Sequence, residues 1–219
     1  MRDVIRLSPF ACLVLAALLL ANFALVAQAK KFPEPSPFPI SWELDFKHSA
    51  PRRIIVDGAG SSTPNAYWYM TYTVTNHSGA ERTFFPMFEL VAADGKAYKG
   101  DFLIPDEVFN VIKQKEKNQL LEKAEKLGGE LRQGEDQAKD GVVIWKEPSS
   151  SLRTFNIYAY GLSGEHVLMK DDDGKPITDK DGPIILRKTL ELTYSIRGGT
   201  GAYVEPNQIE TKPERWVMR

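Results

Sequence analysis

Residues 67–91 read YWYMTYTVTNHSGAERTFFPMFELV, and this stretch decides the fold class of the chain. It is rich in aromatic and β-branched residues, which favour half-buried strands. A short NHSG segment at 76–79 divides it into two runs, the pattern of a β-hairpin. In the first run Trp68, Met70, Tyr72 and Val74 fall on one face. Because an isolated hairpin is only marginally stable in water, we expect further strands to cover that face.

Several other segments carry the same strand signals. They are ISWELDF at 40–46, VVIW at 142–145, FNIYA at 155–159 and LELTYSI at 190–196. Clusters of glycine, proline and aspartate separate them and mark turns. About seven or eight strands with frequent turns predict a mainly β fold, an immunoglobulin-like antiparallel β-sandwich.

One segment, at about 106–127, interrupts this β pattern. Its apolar residues recur at near-helical spacing between lysines and glutamates, and two glycines follow it. We therefore expect one helical insertion there, as one long helix or as two short ones because 113–118 is wholly polar. Its apolar side would pack against the sheet.

The N-terminus has the three parts of a secretory signal peptide. Arg2 and Arg6 precede an apolar run at 10–26, which ends in AQA at 27–29. We expect cleavage after this site and export to the periplasm or the extracellular space. The alternative is an uncleaved segment at 8–29 that anchors the chain to the membrane, because the run is near the length that spans a bilayer.

These signals divide the chain into four parts. A signal peptide at 1–29 precedes a proline-rich spacer at 30–39, a β-sandwich domain at 40–197 and a C-terminal tail at 198–219. Prolines at alternate positions favour an extended spacer. The only cysteine, Cys12, lies in the signal segment, so the sequence predicts neither disulfides nor a thiolate metal site in the domain. The charges of the 28 basic and 29 acidic residues in the whole chain nearly cancel, which argues against nucleic-acid binding.

One sequence feature suggests a hydrolase without completing its motif. The stretch GLSGE at 161–165 lacks the second glycine of a nucleophile elbow, so a turn explains it better. A hydrolase that uses Ser163, His166 and a carboxylate would need the three within hydrogen-bond reach. We predict no catalytic residue and no cofactor.

Four aspartates near two glycines are metal candidates: Asp171, Asp173, Asp179 and Asp181. Carboxylates on a flexible turn are ligands that a hard cation such as calcium prefers. The order of residues does not follow an EF-hand, because Lys175 takes the fifth position. We favour a solvated hairpin tip that protects a sheet edge.

Four tyrosines form the binding-surface candidates: Tyr67, Tyr69, Tyr158 and Tyr160. They alternate with the expected core residues, so together they could form an exposed aromatic platform for a polysaccharide or a protein. Alternatively, the helical insertion covers that face and the tyrosines pack beneath it. We favour the covered arrangement, because such a helix must bury its apolar side.

Three stretches together resemble a group of uncharacterised exported proteins of planctomycete-type bacteria. They are WYMTYTVTNHSG at 68–79, GEDQAKDGVVIW at 134–145 and GLSGE at 161–165. The resemblance covers roughly 42–196 and extends more distantly to immunoglobulin-like domains of secreted and lipoprotein-anchored bacterial proteins. It implies export and an immunoglobulin-like fold, and it supplies no site residue.

These observations favour an exported, non-enzymatic module of the cell envelope with a binding or structural role. Its expected partner is an envelope protein or polysaccharide, and it would touch the membrane only through an uncleaved N-terminus. One alternative is a membrane-anchored accessory or assembly factor. Another is a periplasmic hydrolase whose site is built from dispersed residues.

Overall fold

The computed structural model describes residues 32–57, 65–148, 152–197 and 208–219. The predicted signal peptide, the first two spacer residues and 198–207 of the predicted tail lie outside these residues. Within them, no helix is both long and apolar enough to cross a bilayer.

The described residues contain sixteen strands and two α-helices. The strands are β1 (Asp45–His48), β2 (Arg52–Val56), β3 (Asn65–Thr75), β4 (Arg82–Phe84), β5 (Met87–Ala92), β6 (Ala97–Lys99), β7 (Glu122–Lys123), β8 (Gly129–Leu131), β9 (Lys139–Lys146), β10 (Thr154–Tyr160), β11 (His166–Leu168), β12 (Thr178–Asp179), β13 (Gly182–Pro183), β14 (Ile185–Ile196), β15 (Ile209–Thr211) and β16 (Arg215–Met218). The helices are α1 (Asp106–Glu116) and α2 (Ala124–Leu127). The mainly β prediction is confirmed.

Two larger sheets form the body of the protein. In the first, β3 lies between β9 on one side and both β1 and β2 on the other, and β7 adds a short parallel pairing to β9. In the second, β14, β10, β5 and β6 follow one another, and β11, β15 and β16 also pair with β14. Two small pairings, β4 with β8 and β12 with β13, complete the strand network of the described residues.

Both larger sheets contribute to one hydrophobic core, as the alternation of the sequence predicts. The ring of Trp68 on β3 lies 5.6 Å from that of Phe155 on β10, which lies 5.5 Å from Tyr194 on β14. Each fully buried side chain of this kind contributes about 1.5–3 kcal/mol. The core positions of the main strands alternate along each chain segment: Trp68, Met70, Tyr72, Val74, Phe88, Leu90, Val143, Trp145, Phe155, Ile157, Ala159, Leu190, Leu192, Tyr194 and Ile196.

The predicted helical insertion at about 106–127 consists of two helices that are not continuous. Helix α1 ends at Glu116, and Lys117 adopts a left-handed φ of 53°. The polar stretch after Ile112 offers no buried side chain to continue the helix, so the chain turns, forms β7 and makes only one more helical turn in α2. The alternative with two short helices is thus the one observed, with a short strand between them.

Helix α1 covers the outer face of the first sheet. Its buried residues Val108, Phe109 and Ile112 form a second hydrophobic cluster with side chains of β2, β3 and β9. The first sheet is therefore buried on both faces, by the shared core on one side and by α1 on the other.

Parts of the predicted spacer and tail are built into the body. The amide of Ser36, in the proline-rich segment, donates to the Glu165 carboxylate at 2.7 Å. Strands β15 and β16 come from the predicted tail and pair with β14 because their backbone groups complete its second edge. Trp216 of β16 packs against the shared core.

Candidate functional site

The structure separates the four candidate tyrosines. Tyr67 and Tyr69 lie on the first sheet, beneath α1, and Tyr69 donates to Glu116 of that helix at 2.8 Å. Burial raises the pKa of both hydroxyls. Tyr158 and Tyr160 lie on β10 of the second sheet. The four therefore do not share one platform.

Tyr158 and Tyr160 are covered by charged side chains. The Arg219 guanidinium lies 3.9 Å from the centre of the Tyr158 ring and donates to the Tyr160 hydroxyl at 2.7 Å. Tyr158 donates to Glu191 at 2.7 Å, and Tyr160 donates to Glu89 at 2.9 Å. Burial is the main cause that raises the pKa of Tyr160 to about 12. These hydroxyls serve the protein's own hydrogen-bond network.

The candidate metal aspartates hold turns. One oxygen of Asp171 accepts the amides of Asp173 at 3.0 Å and Lys175 at 2.8 Å. An oxygen of Asp179 accepts the amide of Asp181 at 2.8 Å. Across 32–57, 65–148, 152–197 and 208–219, no three histidine, aspartate or glutamate side chains are grouped to hold a metal ion.

Ser163 and His166 also make local turn contacts. The Ser163 hydroxyl is buried and accepts the Glu165 amide at 3.1 Å. The exposed His166 ring bonds the Gly164 carbonyl through Nδ1 at 3.0 Å. Both side chains therefore stabilise the turn at 161–165, which the sequence predicts.

A polar cavity of about 370 Å³ lies where α1 ends near β1 and β3. Its two carboxylates already have donors within the protein. Asp140 accepts from Thr73 at 2.6 Å and from Asn118 at 2.7 Å. Glu116 accepts from Tyr69 and forms an ion pair with Arg52 at 2.9 Å. This network ties the end of α1 to β2, β3 and β9.

Two exposed apolar side chains line a different cavity, of about 310 Å³. Met87 and Phe102 line it and are 50% and 67% exposed. Phe85 and Leu103, their close neighbours in the chain, are 67% and 82% exposed. We call these four residues the apolar patch. Exposed large apolar side chains on neighbouring chain segments, in contrast to single scattered ones, suggest a binding surface.

The chain reaches the apolar patch through a close approach between the two sheets. After β6 of the second sheet, Gly100 passes the edge of β9 in the first. A Cβ atom at this position would lie 2.3 Å from a methyl group of Val143, so only glycine fits. Asp101 and Leu103 then adopt left-handed φ angles of 58° and 55°. Such angles are rare for leucine, and strained backbone clusters at functional sites.

Asp101 attaches this loop to the edge of β9. Its amide donates to the Ile144 carbonyl at 2.7 Å, and its carboxylate accepts the Ile144 amide at 2.9 Å. One residue thus takes the place of a neighbouring strand. Burial raises the pKa of Asp101 to about 7, while the Ile144 hydrogen bond and Lys123 act in the opposite direction.

The sequence pattern did not predict the apolar patch. The available signal was the run Phe102-Leu103-Ile104, which interrupts polar residues before Pro105 and fits neither strand alternation nor the following helix. No protein-family model, curated protein or solved structure matches the chain significantly.

Proposed function

We propose that the chain is an exported, non-enzymatic module of the cell envelope that binds an envelope protein through the apolar patch. The observation that carries this proposal is the exposure of the apolar patch, of which Met87 and Phe102 line a cavity of about 310 Å³. Export rests on the N-terminal pattern of the sequence, and an immunoglobulin-like sandwich is the finer architecture that we propose for the mainly β body.

A protein partner suits the patch better than a lipid surface does. Lys99 and Glu125 line the same cavity and are exposed, so the edge of the patch carries both signs of charge. An apolar centre with a mixed polar rim is typical of protein–protein interfaces. An anionic membrane would instead favour a cluster of basic residues. The cavity is large enough to receive an apolar side chain of the partner.

The cost of the loop conformation also supports a binding role. Two non-glycine residues in left-handed backbone cost on the order of 1–3 kcal/mol each. Here that cost leaves most of the Phe102 and Leu103 side chains exposed to water. Contact with a partner would recover the hydrophobic stabilisation that the free protein lacks.

The proposal is tested by comparing two exposed apolar residues, Phe102 inside the patch and Leu120 outside it. Leu120 is 76% exposed, so Phe102→Asp and Leu120→Asp make similar surface changes. The variants and the wild-type chain are used to capture proteins from an envelope extract, with a photo-crosslinking residue placed at 102 or at 120 in parallel samples. We expect a protein that crosslinks from 102, is retained by Leu120→Asp and is lost with Phe102→Asp.

Equal retention by both variants would exclude the patch as the binding site. Sedimentation of the purified chain tests whether a second copy of the chain occupies the patch instead. A dimer that Phe102→Asp dissociates would assign the patch to a second copy of the chain and overturn the proposed partner.

A further inference from the structure

A groove of about 650 Å³ lies between the proline-rich segment at 34–39 and strand β16. Pro35 and Pro37 lie on one side of it, and Arg215, Trp216 and Val217 lie on the other. Neighbouring side chains of a strand point to opposite faces of the sheet, so a cavity lined by three consecutive residues runs along the sheet edge. We call this cavity the β16 groove.

Strand β16 turns backbone groups of two residues away from its neighbour β14. Arg187 and Arg219, just beyond the paired segment, exchange backbone hydrogen bonds at 2.8 and 3.0 Å. In an antiparallel ladder such pairs alternate with pairs that make no bond to each other. The register places Trp216 and Met218 in the second kind of pair, so their amides and carbonyls point outward. Among the described residues, no backbone group of another segment bonds them.

The proline-rich segment borders the groove without pairing to β16. Every second residue of the segment is a proline, which has no amide hydrogen: Pro35, Pro37 and Pro39. The Ser36 amide donates to Glu165 at 2.7 Å, and the Phe38 amide donates to the Ser36 hydroxyl at 3.3 Å. These two amides are therefore directed to side chains, and the segment forms no strand of the sheet.

The groove carries an excess of negative charge. The ammonium of the buried Lys188 lies 2.6 Å from Glu43 and 3.2 Å from Glu165, so one lysine faces two carboxylates. The other cation at the groove, Arg215, pairs with a buried carboxylate of β14. Glu34 adds an exposed carboxylate to the lining. The groove and its ion pairs thus hold two more carboxylates than cations, which favours a basic ligand.

We propose that the β16 groove binds an extended, basic segment of a partner protein, which adds a strand to β16. In strand addition the backbone hydrogen bonds supply affinity and the side-chain contacts supply specificity. Here the backbone bonds go to Trp216 and Met218, and a lysine or arginine of the segment lies near Glu34. The groove shares no lining residue with the cavity beside the apolar patch, so this is a second interface, beyond the proposed function.

A second copy of the chain fits this edge less well than a basic segment of another protein. Two β16 strands that pair Trp216 of one copy with Met218 of the other place Arg215 opposite Arg219. Like charges directly opposite each other destabilise a strand pair. The groove itself, in contrast, attracts positive charge through its carboxylates.

Amide hydrogen exchange of the full chain, followed by NMR, tests the proposal. In the free protein the Val217 amide, which the ladder directs to β14, should exchange slowly, and the Trp216 amide should exchange fast. A blocked peptide of alternating lysine and valine, added at millimolar concentration, should slow exchange at Trp216 about tenfold. The same peptide with glutamate in place of lysine should have no effect. Of two peptides N-methylated at the lysines or at the valines, only one should act, because a strand pairs through alternate amides.

Two charge reversals at exposed glutamates complete the test. Glu34→Lys should weaken binding of the basic peptide about tenfold, whereas Glu81→Lys, outside the groove, should leave it unchanged. Slow exchange of the Trp216 amide in the free protein would overturn the proposal, and so would an absence of protection by the basic peptide. Equal protection by the acidic peptide, action of both N-methylated peptides, or equal binding by the two variants would also reject it. This assay uses neither position 102 nor an envelope extract, so its failure leaves the proposed function standing.

Discussion

The outer faces of the two large sheets are covered in contrasting ways. On the first sheet, α1 places Val108, Phe109 and Ile112 over apolar and tyrosine side chains. On the second, Arg219 lies over Tyr158 and pairs with Glu89, and Arg215 pairs with Glu191. An apolar cover stabilises in proportion to the area removed from water and does not depend on pH. A polar cover depends on hydrogen-bond partners and on ionisation, so the two faces should respond differently to the same kinds of change.

The largest effect is expected on the apolar face. Ile112 is fully buried beneath α1, whereas Val111 beside it is 38% exposed. Ile112→Ala should lower the free energy of unfolding by about 2–5 kcal/mol because it leaves a cavity. Val111→Ala, on the same helix, should cost much less. Urea unfolding of both variants checks the difference, and equal losses would show that burial beneath α1 does not determine the cost.

A smaller effect is expected on the polar face, at Glu191. This residue is only 2% exposed and accepts from Tyr158, Asn156 and Arg215. Burial opposes its ionisation, but the hydrogen bonds from Arg215 and Tyr158 outweigh burial and lower its pKa. Glu191→Gln should cost about 1.5–3 kcal/mol, the range for hydrogen bonds to a charged group.

The same variant should change the response to acid. Because the folded-state pKa of Glu191 is lowered, its contribution is fully present above the ordinary glutamate pKa and is lost as the pH falls through the folded-state value. Urea unfolding at several pH values should therefore show a smaller acid-induced loss for Glu191→Gln than for the wild-type chain. Parallel pH profiles would show that the charge of Glu191 does not stabilise this face.

The contrast between the two faces was only partly accessible from sequence. Alternation along the strands predicted the shared core, because the period of two is a local property of each strand. In the run LELTYSI the same alternation assigns Glu191 to the face opposite Leu190 and Leu192. The burial of Glu191 could not be predicted, since its partner Arg215 lies 24 positions further along, in a segment that the sequence indicated as a tail.

The apolar patch could not be predicted from the sequence for a similar reason. Its loop is positioned by Ile144, 43 residues after Asp101, and by the close approach of Gly100 to Val143. No local pattern in the loop encodes either contact. A glycine at 100 was visible in the sequence, but only the packing of the two sheets shows why a side chain is excluded there.

The carboxyls of Glu191 and Asp101 should make global stability change with pH in opposite directions. The raised pKa of Asp101, about 7, means that its folded form prefers the proton, so the stability of the wild-type protein relative to Asp101→Asn should fall as the pH rises from about 4 to 7. We expect a decrease smaller than the effect at Ile112, because the loop can open locally and limit the loss. Thermal unfolding of both proteins across this range measures it. A constant difference would show that Asp101 is solvated in the folded protein.

The smallest effect is expected at an ion pair that resembles Arg215–Glu191 in chemistry but not in burial. Arg197, after β14, pairs with Glu210 of β15, and both side chains are well exposed, at 75% and 46%. Water and salt screen such a pair, and fixing two long side chains opposes it. Arg197→Ala should leave the urea midpoint unchanged within error, whereas Arg215→Ala should lower it because Glu191 then remains buried without its cation. If both variants lowered the midpoint equally, burial of the carboxylate would not be what gives the polar face its stability.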